Sequence, residues 1–231
     1  ITQRKSGNEI WYLTEKGVGW LEADTTRSAF FPLKDHTGRI KLQSFDIDDE
    51  GQVWITSSHG LFHLHLESGK LSQMEDGKIF IRALKTKVDP YRSGIVWFCS
   101  GENGLVRYDV KSRETSEFFH EVVSENSELF GTRVDSFCFL SEDEILFGGR
   151  NVVSRLRLSE GRVKTAKLQT ERENRYRRLT SLIPDPERNL IWVGTKAGEG
   201  LMQFDLEENA FESYGQPVRF RTTRKGFDIN E

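Results

Sequence analysis

One unit recurs five times along the chain, keyed on Trp11, Trp54, Trp97, Leu146 and Trp192, with spacings of 43, 43, 49 and 46 residues. A repeat of this length cannot bury an apolar face alone and must stack on its neighbours. A period in the middle forties matches a blade of four antiparallel strands. The pattern therefore predicts an all-β fold, a β-propeller of four-stranded antiparallel blades, either complete or part of a larger, seven-bladed one. The unequal spacings place insertions in loops and leave the unit intact.

The five copies share an internal grammar. A short run such as Ser44 to Asp48 reads as an inner strand, A, largely apolar because both faces pack on neighbouring blades. A polar turn, Asp49 to Gly51, leads to strand B, which carries the key residue in Val53-Trp54-Ile55. A Gly-bearing turn leads to strand C, Gly60 to Leu64, and strand D is the weakest, as in Ala210 to Tyr214. The key Trp offers a large flat ring to fill the gap between blades. Gly19, Gly60, Gly104 and Gly200 precede strand C and supply the positive φ of a tight turn. Unit four departs on both counts, with Leu146 for Trp and Asn151-Val152 for Gly-Leu. Asn tolerates the left-handed conformation, so the turn survives, and this blade is expected to be the most irregular. Trp20 stands where Leu61, Leu105 and Leu201 stand in other units, which predicts a buried ring rather than a sugar-stacking platform.

The ends of the chain fit this phasing. The chain starts at Ile1 and opens on a B strand with no A strand before it, so it reads as a piece of a longer chain. Residues 223–231 read as an inner strand, because Lys225 to Glu231 resembles Gln43 to Glu50. That strand either closes onto the first blade, giving a ring of five, or begins a following blade. Residues 1–231 are on either reading a single propeller domain or a fragment of one.

Composition supports strands and excludes some partners. Sixteen Phe and five Trp suit pleated, half-buried surfaces. A formal net charge of -3 gives no overall attraction to nucleic acid or to an anionic membrane. No apolar run approaches the length of a bilayer span. Cys99 and Cys138 fall on predicted inner strands of neighbouring units and read as buried thiols rather than a disulfide.

The unit resembles the two-component regulator propeller repeat. The resemblance rests on Ile191-Trp192-Val193-Gly194-Thr195 with Gly200-Leu201 and Phe204-Asp205. Val96-Trp97-Phe98 with Gly104-Leu105 and Tyr108-Asp109 repeats it, as does Asp48-Asp49-Glu50-Gly51 with Val53-Trp54-Ile55-Thr56 and Gly60-Leu61. It covers nearly the whole chain. It implies a periplasmic ectodomain of a bacterial sensor protein, often a hybrid histidine kinase responding to oligosaccharides. Further blades and signalling domains of the parent chain, and a homodimer, are the partners it suggests. The family's ectodomains usually hold more than five blades.

No sequence motif marks a reaction: there is no G-x-S-x-G, H-E-x-x-H, P-loop or dinucleotide fingerprint, and no cofactor is implied. His63 and His65, with His59 nearby, occupy slots held by ordinary surface residues in other units and do not read as zinc ligands. Asp46, Asp48 and Glu50 open like a calcium loop, but Ser57 stands where the closing acid belongs, so the segment reads as an A–B turn. Arg172, Arg175, Arg177 and Arg178 around Tyr176 read as a solvated connector balanced by Glu171 and Glu173. In a propeller the D–A connections and B–C turns share one face. That geometry nominates His36, His59, Glu102, Asn103, Arg150, Arg175, Tyr176 and Lys196 as candidate ligand contacts. The expected function is ligand sensing; a lyase resembling the streptogramin-inactivating type, or an interaction platform, is the alternative.

Overall fold

A computed structural model describes residues 2–3, 8–22, 26–32, 41–66, 68, 70–74, 82–120, 132–167, 178–196, 201–208 and 210–213. These residues form five four-stranded antiparallel sheets, each running in chain order from its first strand to its fourth. The first holds β1 (Thr2–Gln3), β2 (Glu9–Thr14), β3 (Gly17–Glu22) and β4 (Ser28–Pro32). The second holds β5 (Leu42–Ile47), β6 (Val53–Ser57), β7 (Gly60–His65) and β8 (Lys70–Gln73). The third holds β9 (Ala83–Val88), β10 (Ile95–Ser100), β11 (Leu105–Asp109) and β12 (Thr115–Phe118). The fourth holds β13 (Val134–Phe139), β14 (Glu144–Gly149), β15 (Val152–Arg157) and β16 (Arg162–Lys167). The fifth holds β17 (Arg178–Asp185), β18 (Leu190–Lys196), β19 (Leu201–Asp205) and β20 (Ala210–Ser213). There is no helix among the described residues.

Several expectations change at this level. The chain does not open on a B strand: Thr2 pairs with Trp11 and Gln3 with Ile10, so β1 supplies the first sheet's inner strand. Two residues without apolar character carry too little pattern to announce a strand, yet they pair the backbone edge of β2. In the second and third sheets the inner strands are not the most apolar ones, although in the fourth β13 is buried along nearly all its length. β6 and β10 are buried throughout, whereas β5 and β9 alternate and expose part of Ser44, Asp46, Lys85 and Lys87. The second strand lies inside its sheet, while the first is a sheet edge whose polar side chains meet the neighbouring sheets' first strands. Cys99 accordingly sits on β10 and only Cys138 on an inner strand; both are free and buried. Burial pushes both thiols up to about 12, so neither ionises readily.

The first sheet is also phased differently. Gly17, opposite Thr14, takes the turn position of Gly60 opposite Ser57. Gly19 lies inside β3, where a Cβ would sit 2.5 Å from the Tyr12 ring. Val18 therefore fills the core slot assigned to Trp20. Trp20 instead faces Trp11 across the strands and is half-buried, in the place His63 takes opposite Trp54. The fourth sheet is regular, with four strands of six residues each. Asn151 takes the left-handed turn as expected, at φ 56.

The sheets pack face to face in chain order, through four apolar clusters. Trp11 and Val18 meet Phe45, Val53, Ile55 and Leu64 of the second sheet. Trp54 and Leu61 meet Val96, Phe98 and Tyr108 of the third. Trp97 and Leu105 meet Phe137, Phe147 and Leu156 of the fourth. Leu146 and Val153 meet Leu182, Ile191 and Phe204 of the fifth. The fifth sheet presents the same face outward: Ile183 is 59% and Leu201 44% exposed, whereas Leu61 and Leu105, in the slot of Leu201, are fully buried. The outer face of the first sheet also shows apolar groups, with Leu21 and Phe30 exposed.

A second interaction locks each Trp. The indole N–H of Trp54 donates to Asp48 at 3.1 Å, that of Trp97 to Asp89 at 3.0 Å, and that of Trp192 to Asp185 at 3.1 Å. Each Asp lies just past the inner strand and ties the A–B turn to the middle of the sheet. In the first sheet Glu9, on β2 itself, is the acceptor at 3.0 Å. In the fourth sheet Leu140 stands at the Asp position and packs against the cluster that holds Leu146. Donor and acceptor are thus lost together, which avoids a desolvated carboxylate with no partner. This paired replacement explains why the fourth sheet is not irregular.

Asp89 also accepts the backbone N–H groups of Tyr91 and Arg92, and its carboxylate is buried. Asp89→Ala is expected to destabilise the fold by about 1–3 kcal/mol in urea denaturation. Asp185→Ala should cost less, because the Trp192 it holds is only half-buried.

A candidate ligand face at one end of the sheets

Because every sheet has the same strand order, the connections into the inner strands and the turns between second and third strands gather at one end. His59 lies in the β6–β7 turn, Glu102 and Asn103 in the β10–β11 turn, Arg150 in the β14–β15 turn, and Lys196 at the end of β18. Those five candidates thus share one face. His36, Arg175 and Tyr176 lie outside the described residues, as do Arg172 and Arg177.

The turns on this face are built by hydroxyls that end the second strands. Ser57 Oγ accepts the His59 N–H at 2.9 Å, and Ser100 Oγ accepts the N–H groups of Glu102 and Asn103 at 3.2 Å. Asn103 Nδ2 reaches Glu117 at 3.4 Å. His59 Nδ1 meets Ser58 Oγ at 2.9 Å.

The inner strands contribute groups that sequence reasoning either passed over, as with Asp135, Arg133 and Lys85, or read differently, as with Asp46 and Arg178. Asp135, buried at the start of β13, accepts from Arg133 Nε at 2.9 Å and from Arg178 Nη2 at 2.5 Å. Arg178 is therefore a fixed element between the fourth and fifth sheets rather than part of a solvated connector. Lys85 Nζ donates to Ser136 Oγ at 3.0 Å, linking the third and fourth sheets. Burial and the neighbouring Lys87 hold the Lys85 ammonium below its usual range. Asp46 Oδ2 accepts the Val88 N–H at 2.9 Å between the second and third. A signal existed: polar residues inside strands that ought to be apolar.

The metal readings find no support among the described residues, where no cluster of ligating groups is present. Asp46 and Asp48 spend their carboxylates on Val88, Gln52 and Trp54. His63 stacks on Trp54 at 4.4 Å and its Nε2 meets Gln52 Oε1 at 2.9 Å. It lines a cavity of about 280 Å³ at the opposite end, with Asp49, Glu50 and Asp89. His120 stacks on Phe147 and bonds Ser154 Oγ at 2.6 Å.

Neither a protein-family model nor a curated protein matches the chain. Solved structures do match in fold. One is the extracellular domain of the BT4673 hybrid two-component system from B. thetaiotaomicron, with a TM-score of 0.71 and 16% identity. The match covers 91% of this chain and 27% of that one. Another is the extracellular domain of the BT3049 hybrid two-component system from the same organism, with a TM-score of 0.64 and 19% identity over 92% of this chain and 29% of that one. The Mitotic Checkpoint Complex also matches, at a TM-score of 0.65 and 14% identity, over 89% of this chain and 60% of the other. The chain spans under a third of the two sensor chains. At such identities these likenesses establish a shared fold.

Burial lowers the pKa of both His63 and His120 to about 4. His65 adds to this for His63 while Asp48 opposes it; the Arg133 backbone and Asp135 oppose it for His120. Each ring is therefore neutral when folded and protonates more readily when unfolded. The resulting stability is complete above the usual value of 6.5 and drains away as pH falls toward about 4. Urea midpoints measured across that window should fall steeply, and His63→Gln, which installs the residue found at Gln203, should flatten the slope.

Proposed function

We propose that this chain is part of a β-propeller that forms the extracytoplasmic sensing domain of a bacterial two-component protein and binds an oligosaccharide. The observation that carries the reading is the repeat itself. The Trp slot, the Gly turn and the acidic A–B turn recur in register, and the same strand order is held in all five sheets. The fold likeness to the BT4673 and BT3049 extracellular domains supports it. The ligand would be met by the face that carries His59, Glu102, Asn103, Arg150 and Lys196. Signalling would pass to further domains of the parent chain.

Two uncovered sheet faces support the propeller reading. Leu201 on the fifth sheet occupies the slot that Val18, Leu61, Leu105 and Val153 fill as buried residues, Ile183 lies exposed on the same face, and Leu21 and Phe30 mark the free face of the first. Either these faces close on each other, with residues 223–231 at the seam, or further units of the same repeat cover them. The lyase reading has no such support: the ring hydrogen bonds of His59, His63 and His120 go to Ser58, Gln52 and Ser154, which cannot serve as a carboxylate partner.

Two measurements test these readings. A ligand panel of neutral and acidic oligosaccharides should raise the melting temperature for at least one member. No shift at saturating concentration would count against sensing by this chain. Ile183→Cys with Leu21→Cys should form an intrachain disulfide if the chain closes as a ring of five. A lack of crosslinking under oxidation would favour further repeat units.

A further inference from the structure

A cation stands at the entry to each of four consecutive inner strands: Lys41, Arg82 and Arg133 immediately before β5, β9 and β13, and Arg178 as the first residue of β17. The backbone register makes the positions equivalent. Ser58 N–H donates to the Lys41 carbonyl at 2.8 Å, and Gly101 N–H to the Arg82 carbonyl at 3.3 Å. Lys196 pairs with Arg178, and Ser58, Gly101 and Lys196 each stand four residues past the Trp of their sheet. Arg150 holds that place in the fourth sheet and bridges to Arg178. The four cations therefore sit at one height around the end where the inner strands converge.

Further observations separate this set from scattered surface charge. Arg82 holds a left-handed backbone, φ 60, which costs a non-glycine residue on the order of 1 kcal/mol and often marks a working site. Its side chain and that of Arg133 converge on Gly101, where a Cβ would lie 3.7 Å from Arg82 and 3.5 Å from the Arg133 guanidinium. Arg133 and Arg178 are held as forks by one buried carboxylate, Asp135, which neutralises only one of the two. Lys196 directly opposite Arg178 adds a like-charge pair that destabilises a sheet unless an anion offsets it.

We infer that this basic mouth binds an oligosaccharide bearing carboxylate or sulfate groups, whose oxyanions bridge Arg82, Arg133 and Arg178. The inference rests on the sensing reading above and narrows its ligand to an acidic one. Planar guanidinium forks match both oxyanions, and the neutral sugar backbone would lie over Asn103 and Glu102.

Calorimetric titration of the chain with oligogalacturonate, a sulfated glycosaminoglycan oligosaccharide and a maltooligosaccharide tests it. At least one acidic ligand should bind, with affinity falling as salt rises, and the maltooligosaccharide should not. Arg82→Gly relieves the backbone strain, so it should melt no lower than the parent while weakening binding about tenfold. Lys111→Ala, at the opposite end, should leave affinity unchanged. Binding that survives Arg82→Gly at full strength overturns the inference. Equal or better binding of the maltooligosaccharide overturns it too, yet leaves sensing in place. An acidic ligand that binds at the mouth and emerges cleaved, seen by mass spectrometry, upholds the anionic site and overturns the sensing reading. No binding of any of the three overturns both.

Discussion

The structure depends on the burial of one large side chain between each sheet and the next. An isolated four-stranded sheet of this composition has an apolar face and no core. Trp11, Trp54 and Trp97 give it one by reaching into the following sheet, and truncating such a ring costs on the order of 3–5 kcal/mol. Buried indole nitrogen needs an acceptor, which makes the Trp and the Asp of the A–B turn a single device. From the second sheet to the fifth the chain keeps both or neither: Asp48 with Trp54, Asp89 with Trp97, Asp185 with Trp192, but Leu140 with Leu146, while in the first Glu9 on β2 serves Trp11.

That device explains the division of labour within a sheet. The second strand is buried throughout in the second and third sheets and so contains the most apolar runs there. The inner strand, freed from that duty on its axial side, carries polar groups that tie neighbouring sheets together. Lys85 to Ser136, Asp46 to the Val88 amide and Arg178 to Asp135 form this belt. The same strands end at the face where the turns gather, so the belt that holds the sheets in place also positions the charges that a ligand would meet.

Much of the fold was legible because it repeats. Five copies of one grammar identify the sheets, the turn at Asn151 and the face on which His59, Glu102, Asn103, Arg150 and Lys196 lie. The errors came where pattern was too sparse or shifted. β1 is two polar residues long, and the first unit's turn glycine is Gly17, so Trp20 was set against the wrong slot. Cys99 directly continues Val96-Trp97-Phe98 and so lies on the second strand with its Trp, where the inner-strand reading did not put it. Asp135 was legible only as a polar residue inside an otherwise apolar strand, and Arg133 beside it had the ordinary reading of a loop cation.

The sequence alone determined the repeat, its strand order and the residues that fill the gaps between sheets, because burial and turn geometry are local demands repeated in each unit. Only the tertiary structure decided which charges meet. Lys41, Arg82, Arg133 and Arg178 are more than forty residues apart from one to the next and look like unrelated loop cations until the register is known. Hydrogen bonds between the strands, and the packing that aligns one sheet with the next, bring them to a common height.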